Sequence, residues 1–499
     1  MLAATIYLSF AGALLLLLLP SGNARLARVV ALLTAAAGLA VTLGVAFTWQ
    51  PVGQVITLVK VPWIPSLGIE YHLGFDGISL TLVLLTGLAA VSGILFSWNI
   101  EYRTREFFAL FLTLIGGVYG VFLSLDLFLL FVFYEIAIIP KYFLIAIWGS
   151  TRKEYGAMKL VLYSFVGSAL VLIGLIAAWA VAGGQTFDLL VLSKQANFPR
   201  AFQMWAFPLV FIGFGILAGL WPFHTWAPTG HVAAPTAASM LLAGVVMKLG
   251  AYGCLRVAMT LFPEGFFEWR QFFAILAVIG IVYGALVALV QKDFKFVIGY
   301  SSVSHMGFVI LGLMTLNIVG LQGAVLQMFS HGIIAGLLFA VVGRMVYDRT
   351  HTRQFADLEA LGLSKAMPFA AVTFVLAGMA SMGLPGFSGF VAELQVLMGA
   401  WKAFPTLTVI SGVGVVIGVA YTMRAVQKGF FADTPAATAA AAHKHEHLLS
   451  PISVPERLAA VMLLAVSLLI GLFPGLLLNW IRPAFESPMF DRLLRGGLL

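Results

Sequence analysis

The chain has 499 residues, of which 61% are hydrophobic and only 10% are charged, and its mean hydropathy is +1.03. So few polar residues cannot cover the surface of a water-soluble globule, which excludes a soluble enzyme and indicates a protein whose solvent is the lipid bilayer. The formal net charge of +8 comes from basic residues scattered singly between apolar stretches. That distribution is typical of loops in membrane proteins, and we expect no nucleic-acid binding.

The sequence divides into apolar windows separated by short polar breaks. A bilayer core about 30 Å thick takes roughly 20 apolar residues per helix, so the chain has room for about fourteen spans. The first apolar run is expected to be span 1 rather than a signal peptide, because it lacks a basic start and a small-residue cleavage site. The predicted spans 1 to 14 are residues 3–20, 27–48, 76–98, 107–124, 126–148, 157–182, 204–221, 234–260, 271–291, 296–315, 318–346, 367–397, 404–427 and 457–481.

Two of these spans are interrupted in the same way. Span 7 ends in ILAGLWPFHTWAPTGH and span 12 carries SMGLPGFSGFVAEL, each with a proline among small residues. Broken helices expose backbone where ions or water pass, and a separation of five spans suggests an inverted repeat. The predicted fold is therefore an all-α polytopic membrane protein with two inverted five-helix repeats, spans 4–8 and 9–13, and broken helices 7 and 12. Its predicted parts are residues 1–106 with spans 1–3, residues 107–260 and 271–430 with the two repeats, residues 431–456 as a flexible cytoplasmic loop, and residues 457–499 with span 14 and the tail.

The basic residues also predict the orientation in the membrane. Most loop Lys and Arg residues fall on the side that holds Arg25, Arg152 and Arg353. By the positive-inside rule that side faces the cytoplasm. We therefore expect a multi-pass protein of the inner (cytoplasmic) membrane with both termini on the outward, periplasmic side.

Four charged residues are expected deep inside spans, where each ionised side chain costs at least about 2.5 to 3.5 kcal/mol. They are Glu135, Lys141, Lys248 and Glu393, and Lys141 and Lys248 are the two basic residues that this reading leaves inside spans, away from the span ends. One interpretation is that they form structural ion pairs between helices. The other, which we favour, is a proton relay, because a lysine beside a carboxylate in a wet cavity can exchange a proton with it.

Histidines accompany these charges. His224 lies at the break of span 7, and His305 and His331 lie in spans 10 and 11. Imidazole gives and takes a proton near pH 7, so each of the three is a candidate relay member as well as a candidate for structural hydrogen bonding. His231, which we expect in a loop, and His351 are interpreted as structural.

Other motifs have plainer interpretations. His443, His445 and His447 alternate with charged residues in the alanine-rich stretch before span 14, where a metal would first have to order the loop, so we expect a solvated loop and no metal. The aromatic run FFEWRQFF near residue 270 is expected to anchor the chain at a membrane interface. The single cysteine, Cys254, excludes an intrachain disulfide, a CxxC site and a cysteine-ligated iron–sulfur cluster. We expect no cofactor on this chain.

Three segments carry a resemblance to a known family. WPFHTWAPTGHVAAPTAASMLLAGVVMKLGAYG, QKDFKFVIGYSSVSHMGFVILGL and YDRTHTR resemble the chain M (subunit 4) family of proton-pumping NADH:quinone oxidoreductase, respiratory complex I, and the similarity extends over nearly the whole chain. YDRTHTR separates this family from its antiporter-like paralogues. The resemblance implies fourteen spans in two inverted five-helix repeats, no flavin or cluster here, and docking beside other membrane-arm subunits, including neighbouring antiporter-like chains.

The resemblance also implies roles for single residues. Glu135 matches the family's glutamate of the fifth span, Lys248 its central lysine of the eighth, and Glu393 its twelfth-span glutamate near the outward exit. His224, His305 and His331 match as well. The electron donor, NADH or ferredoxin, and the quinone are decided by other chains.

One position departs from the family pattern. The family usually has a lysine seven residues before the first histidine of the PFHTW motif, and Leu217 stands there instead, whereas Lys141 stands where the family is usually apolar. One hypothesis is that the positive charge has moved from span 7 to span 5. Six helical residues separate Lys141 from Glu135, roughly 9 Å and 240° around the axis, which neither proves nor excludes pairing.

The sequence therefore predicts a proton-translocating membrane-arm subunit of a complex I type machine. Quinone chemistry elsewhere would alter the interaction of Glu135 with a lysine, and so the protonation of Lys248, and Glu393 would pass the proton outward. Two alternatives remain open: a subunit of a multisubunit sodium/proton antiporter, and a weakly pumping structural spacer, the latter motivated by Leu217.

Overall fold

The computed structural model describes residues 1–20, 22–195, 197–432 and 449–495. Twelve of its helices are long and apolar enough to cross a membrane, and two shorter apolar helices, Ala4–Leu18 and Pro368–Ser381, occupy the places of spans 1 and 12. The predicted count of fourteen spans is confirmed. Spans 1 to 14 are Ala4–Leu18, Ala24–Thr48, Gly77–Phe96, Thr104–Leu123, Leu127–Trp148, Lys153–Val181, Arg200–Ala233, Thr236–Met259, Pro263–Val290, Phe294–Met314, Ile318–Thr350, Pro368–Ser381 with Ser388–Ala403, Pro405–Phe430 and Val454–Leu472.

Burial differs strongly among the spans. Spans 8 and 11 are buried along their whole apolar windows, and spans 3 and 10 nearly so, whereas spans 2 and 13 expose most of their surface. Lipid tails are as apolar as leucine, so it is close packing and buried polar contacts that hold inner spans together. The buried spans 8, 10 and 11 carry Lys248, His305 and His331. The division into inverted repeats stays a prediction.

Both predicted interruptions are present. Span 7 is α-helical from Arg200 to Ala218, leaves the helix at Gly219, which has a left-handed φ of 81°, and resumes as Trp226–Ala233. Span 12 is broken between Ser381 and Ser388. Such breaks free backbone groups from the helical ladder inside the protein.

A β-hairpin, absent from the sequence prediction, covers one end of the bundle. Strands β1 (Ile56–Ile64) and β2 (Ile69–Phe75) are antiparallel and joined by a tight turn that ends at Gly68 with a left-handed φ of 68°. β1 is rich in β-branched residues, which favour strands. We call this end of the bundle the hairpin face. Successive spans alternate in direction, so the start of span 1 and the end of span 14 lie on the hairpin face, and the start of span 12 lies on the opposite face.

Charged side chains attach the hairpin to the segment after span 6. The Lys60 ammonium lies 2.8 Å from Asp188 Oδ2 and 3.0 Å from Glu70 Oε2, and His72 Nδ1 lies 3.1 Å from the same Asp188 oxygen. Burial would raise the pKa of Asp188, but the hydrogen bonds from His72 and Lys60 hold it below its ordinary value. We call Lys60, Glu70, His72 and Asp188 the hairpin latch.

The C-terminal part differs from the prediction of one span over 457–481. Span 14 ends at Leu472, and a separate helix, Gly475–Phe485, follows. Pro474 lacks the backbone N–H that a continuing helix would need. The new helix packs on the start of span 3, where a Cβ at Gly77 would lie only 1.8 Å from the Trp480 carbonyl oxygen. The remaining short helices are Leu189–Gln195, Phe355–Glu359, Leu363–Ala366 and Asp491–Arg495.

The predicted loop over residues 431–456 is described only at its two ends. Its three histidines, His443, His445 and His447, lie outside the described residues. The described end at Ser453 begins span 14 with a capping box, in which Ser453 and Glu456 satisfy each other's backbone N–H groups.

Candidate functional site

Lys248 lies at the centre of span 8 with no exposed surface. The turn before it, Leu242–Val246, is π-helical, a geometry found frequently at functional sites. The Lys248 ammonium donates to the carbonyl oxygen of Ala243 at 2.5 Å and is 2.7 Å from Nδ1 of His331 in span 11. Sequence reasoning placed both residues inside spans, and the structure joins them directly.

Two glycines make this contact feasible. A Cβ at Gly244 would lie 3.0 Å from the Gly332 carbonyl oxygen, and a Cβ at Gly332 would lie 2.6 Å from the Gly244 oxygen. Glycine therefore lets the backbones of spans 8 and 11 approach closely, as small residues do between membrane helices. A larger residue at either position would separate Lys248 from His331.

A second hydrogen-bonded group continues from His331. The His331 and His305 rings have centroids 5.4 Å apart. His305 Nδ1 lies 2.9 Å from Glu393 Oε1, and its Nε2 lies 3.2 Å from the Ser381 hydroxyl. Gln327 donates to the same Glu393 oxygen at 3.2 Å. Lys248, His331, His305 and Glu393 thus form one series of buried titratable side chains across spans 8, 11, 10 and 12, which we call the central row.

A small cavity accompanies this row. It is lined by His305, Gln327, His331, Ser381 and Glu393, among others, and its volume is about 10 Å³. A single water needs about 10–15 Å³ and two to four polar partners, and these walls offer them. The cavity can therefore connect the two imidazole rings through a water molecule.

The break in span 12 gives Glu393 its position. Gly383 and Gly386 have left-handed φ angles of 74° and 105°, which side-chain-bearing residues rarely adopt. A Cβ at Gly383 would also lie 3.1 Å from Glu393 Oε2. The glycines turn the chain so that the second half of the span starts at Ser388 and presents Glu393 to His305.

Glu135 and Lys141 lie apart from the central row. Lys141 is only 1% exposed, and its ammonium has no hydrogen-bond partner among the described residues. Glu135 is half-buried, Ser168 of span 6 lies near its carboxyl, and its charge interacts with that of Lys141. Leu217, buried at the end of the first half of span 7, contributes no polar group. The relocation of the positive charge stays a prediction.

His224 also lies apart from this row. It is 2% exposed, neither ring nitrogen has a hydrogen-bond partner among the described residues, and its ring packs edge-on against Tyr283 at 5.2 Å. The structure places it at the break of span 7, as expected.

His231, assigned to a loop by sequence reasoning, is instead helical and completely buried. That expectation was wrong because the helix resumes after the break of span 7. The His231 ring packs 5.2 Å from Phe339, and the charges of both Lys248 and Lys295 act on it. The sequence did contain a signal for this position. His231 follows the break of span 7 by only a few residues and precedes the span that holds Lys248.

Three further buried basic residues correct the expectation that only Lys141 and Lys248 remain within spans; one is Arg349, at the end of span 11, which pairs with Glu456 at 2.7 Å. Lys295, 2% exposed, begins span 10 and donates to the Ala234 carbonyl oxygen at 3.3 Å. Arg256, also 2% exposed, lies in span 8 and forms an ion pair with Asp76 at the start of span 3. All three lie near span ends, where hydropathy windows do not distinguish a buried from an exposed charge.

A polar pocket opens on the opposite face beside Lys295. It has a volume of about 200 Å³ and is lined by residues that include Ser150, Thr236, Lys295, Tyr347 and Asp348. We call it the opposite-face pocket. His231 and Lys248 do not line this pocket.

Residues that could hold a metal are found at the hairpin latch. Ligand atoms of Glu70, His72 and Asp188 lie within 4.8 Å of one another, the one such group among the residues that the structure describes. The Lys60 ammonium already contacts both carboxylates. The Lys60 ammonium therefore already supplies a positive charge to these two carboxylates.

The chain resembles proteins of one family over most of its length. The family described as NADH:quinone oxidoreductase/Mrp antiporter, TM, matches residues 124–418. The chain is 38% identical over 435 residues to NADH-quinone oxidoreductase subunit M of Rhodobacter capsulatus, covering 85% of this chain and 82% of that protein. It is 40% identical over 377 residues to an NAD(P)H-quinone oxidoreductase chain 4 of Picosynechococcus sp., covering 74% and 68% of the two chains.

Solved structures have the same fold. A chain of respiratory complex I from Thermus thermophilus matches with a TM-score of 0.88 and 29% identity, over 99% of this chain and 100% of that chain. A chain of the Mrp complex from Dietzia sp. matches with a TM-score of 0.86 and 22% identity, over 99% and 98% of the two chains. The second likeness shows the fold alone.

Proposed function

The chain belongs to the antiporter-like NADH:quinone oxidoreductase subunit M (chain 4) family, and we propose that it moves protons through the central row. It is a subunit of a translocase, in which oxidation of the electron donor and reduction of quinone take place on other chains. Its partners are other subunits of the membrane arm. The observation that most supports proton movement is the series of contacts from Lys248 through His331 and His305 to Glu393.

The hydrogen bonds support a direction for the proton. A lysine ammonium has only donors, so His331 accepts at Nδ1 when Lys248 is protonated, and its hydrogen is then on Nε2. Transfer of a proton from Lys248 to Nδ1 allows the ring to release the Nε2 hydrogen into the cavity shared with His305. His305 lies against Glu393, which is the last acceptor of the row.

We assign proton uptake to the opposite face and release to the hairpin face. The opposite-face pocket gives water a place beside Lys295, and the charges of Lys295 and Lys248 both act on the buried His231. Excess basic residues on the opposite face support a cytoplasmic orientation of that face, so release through Glu393 would be periplasmic. The protein then lies in the inner membrane with both termini outward.

Glu135 and Lys141 act, in this proposal, as the charge pair that controls Lys248. The Lys141 ammonium is buried and has no hydrogen-bond partner among the described residues. A buried charge of this kind costs free energy in a membrane protein, and such residues are usually functional. Lys141 would supply the charge that family members place at the position of Leu217. His224, at the break beside Tyr283, would join this half of the route when water enters.

The test measures protons pumped per electron pair by the intact complex in liposomes. Lys248→Ala should lower that ratio while quinone reduction in detergent continues, because only the transfer step is removed. The matched control is Lys365→Ala, which removes an exposed lysine outside the spans. An unchanged ratio in a fully assembled Lys248→Ala complex would instead identify a structural spacer.

The same liposomes separate the sodium/proton antiporter alternative. A redox-driven subunit should move protons only when quinone is reduced and should work without sodium. Proton movement driven by a sodium gradient without redox turnover would contradict the proposal. Relatives named as quinone oxidoreductase subunits at 38–40% identity favour the redox-driven function over the Mrp likeness at 22%.

A further inference from the structure

An apolar groove runs along the outer surface of spans 9 and 13. Its volume is about 380 Å³, and it is lined by side chains that are all hydrophobic except for one tyrosine hydroxyl. We call it the lipid groove; its lining is Ile275, Val278, Ile279, Val282, Tyr283, Leu286, Leu407 and Ile410.

The groove has the length of one acyl chain. Ile275, Ile279, Tyr283 and Leu286 are each between 36% and 48% exposed and form one stripe along span 9. From Ile275 to Leu286 the helix rises about 16 Å, close to half of a bilayer core of about 30 Å. The stripe thus extends through the hydrocarbon depth of a single leaflet.

A polar cleft continues the groove toward the hairpin face. Its volume is about 630 Å³, it shares Ile275 and Leu407 with the groove, and Arg270, Gln271 and Thr406 line it. It coincides with the aromatic run that the sequence predicts at a membrane interface. The indole of Trp269 donates to the Met204 carbonyl oxygen at 2.9 Å, which fixes this segment against span 7.

The cleft is lined by one carboxylate, Glu268, and by one guanidinium, Arg270, that has no ion-pair partner among the described residues. The Arg270 guanidinium lies over the Phe404 ring at 5.6 Å, and no carboxylate lies within ion-pair distance of it among the described residues. The neighbouring Glu268 pairs instead with Arg200 at 3.3 Å. Guanidinium groups bind phosphate oxygens through paired hydrogen bonds, so the free charge is complementary to a phosphate.

We propose that this surface binds an anionic phospholipid, with the phosphate at Arg270 and one acyl chain in the lipid groove. Charge at the interface end and an apolar channel of one leaflet's depth match both parts of such a lipid. The site lies outside the central row, although Tyr283 lines the groove and touches His224.

The test uses a phosphatidylglycerol with a photoactivatable diazirine on its acyl chain. The intact complex is labelled in bilayers, and the cross-linked peptides of this subunit are mapped by mass spectrometry. We expect labelling of the span 9 stripe, competed by unlabelled phosphatidylglycerol much better than by phosphatidylcholine. Arg270→Gln should weaken the labelling about tenfold, the size expected for losing one charge-assisted contact.

Matched variants separate the headgroup from the chain. Arg482→Gln removes an exposed arginine of the same face that does not line the cleft, and it should leave labelling unchanged. Ile279→Trp fills the groove and should abolish labelling, whereas Val416→Trp, at a lipid-exposed position of span 13, should not. Equal competition by both lipids, or full labelling of an assembled Arg270→Gln complex, would overturn the proposal. So would protection of the stripe with cross-links to a neighbouring subunit, which would make the groove a protein interface.

Discussion

The charge of Lys141 provides the sharpest test of how the first half of the chain works. Six residues of span 5 separate it from Glu135, a rise of about 9 Å. At that distance, with an effective dielectric constant of about 20, opposite charges attract by roughly 2 kcal/mol, which corresponds to about a 20-fold change in a proton-transfer equilibrium. Lys141→Met should therefore assemble, because it removes a buried charge without a hydrogen-bond partner among the described residues, but should pump poorly.

The assay is a double-mutant cycle of Glu135→Gln and Lys141→Met, read as protons per electron pair and as thermal stability of the purified complex. Paired residues should show a coupling free energy near 2 kcal/mol, whereas independent residues should show additive effects within about 0.5 kcal/mol. Adding Leu217→Lys to Lys141→Met should restore pumping if only the place of the charge has changed. Leu217 is 1% exposed, so the longer side chain should cost about 1–3 kcal/mol by overpacking. Full pumping by Lys141→Met alone would refute the reasoning.

Three further outcomes are expected from other parts of the molecule. His331→Phe removes the acceptor 2.7 Å from Lys248 and should lower the protons pumped per electron pair as Lys248→Ala does, in a complex that stays assembled on native gels. Asp188→Asn should loosen the β-hairpin. The pKa of Asp188 is lowered in the folded chain, so in the wild type its contribution to stability is fully present above about pH 4, the ordinary aspartate value, and is lost as the pH falls further. Hydrogen exchange of β1 and β2 should show this loss at low pH only in the wild type. Asp76→Asn leaves Arg256 buried without its ion-pair partner and should destabilise the fold by about 3–5 kcal/mol, whereas replacing both residues by apolar ones should cost much less, as thermal unfolding would show.

Several features were predictable from sequence because they depend on composition within one window. Bilayer thickness fixes the length of an apolar helix, so the fourteen spans follow from hydropathy. Proline among glycines cannot continue a helix, which identified the breaks of spans 7 and 12. Glu135, Lys141, Lys248 and Glu393 stood out because isolated charges are costly in lipid.

Other features were not predictable from such windows. The hairpin of Ile56–Ile64 and Ile69–Phe75 lies in a connection too polar to be a span, and its strands are held by pairing and by Asp188, which is more than a hundred residues away. His231 was taken for a loop residue because a helix only two turns long gives no hydrophobic period. Arg256 could be recognised as buried only once Asp76, on another span, supplied its counter-charge.

The sequence by itself determined the membrane environment, the number of spans, the breaks and the charged residues Glu135, Lys141, Lys248 and Glu393 inside spans, since each of these follows from local composition and the cost of charge in lipid. The tertiary structure decided which of those residues meet. Lys248 reaches His331 because Gly244 and Gly332 let two backbones approach, and Glu393 reaches His305 because the chain turns at a broken helix. Such contacts join residues distant in the sequence, and they depend on packing between helices rather than on the pattern within any one of them.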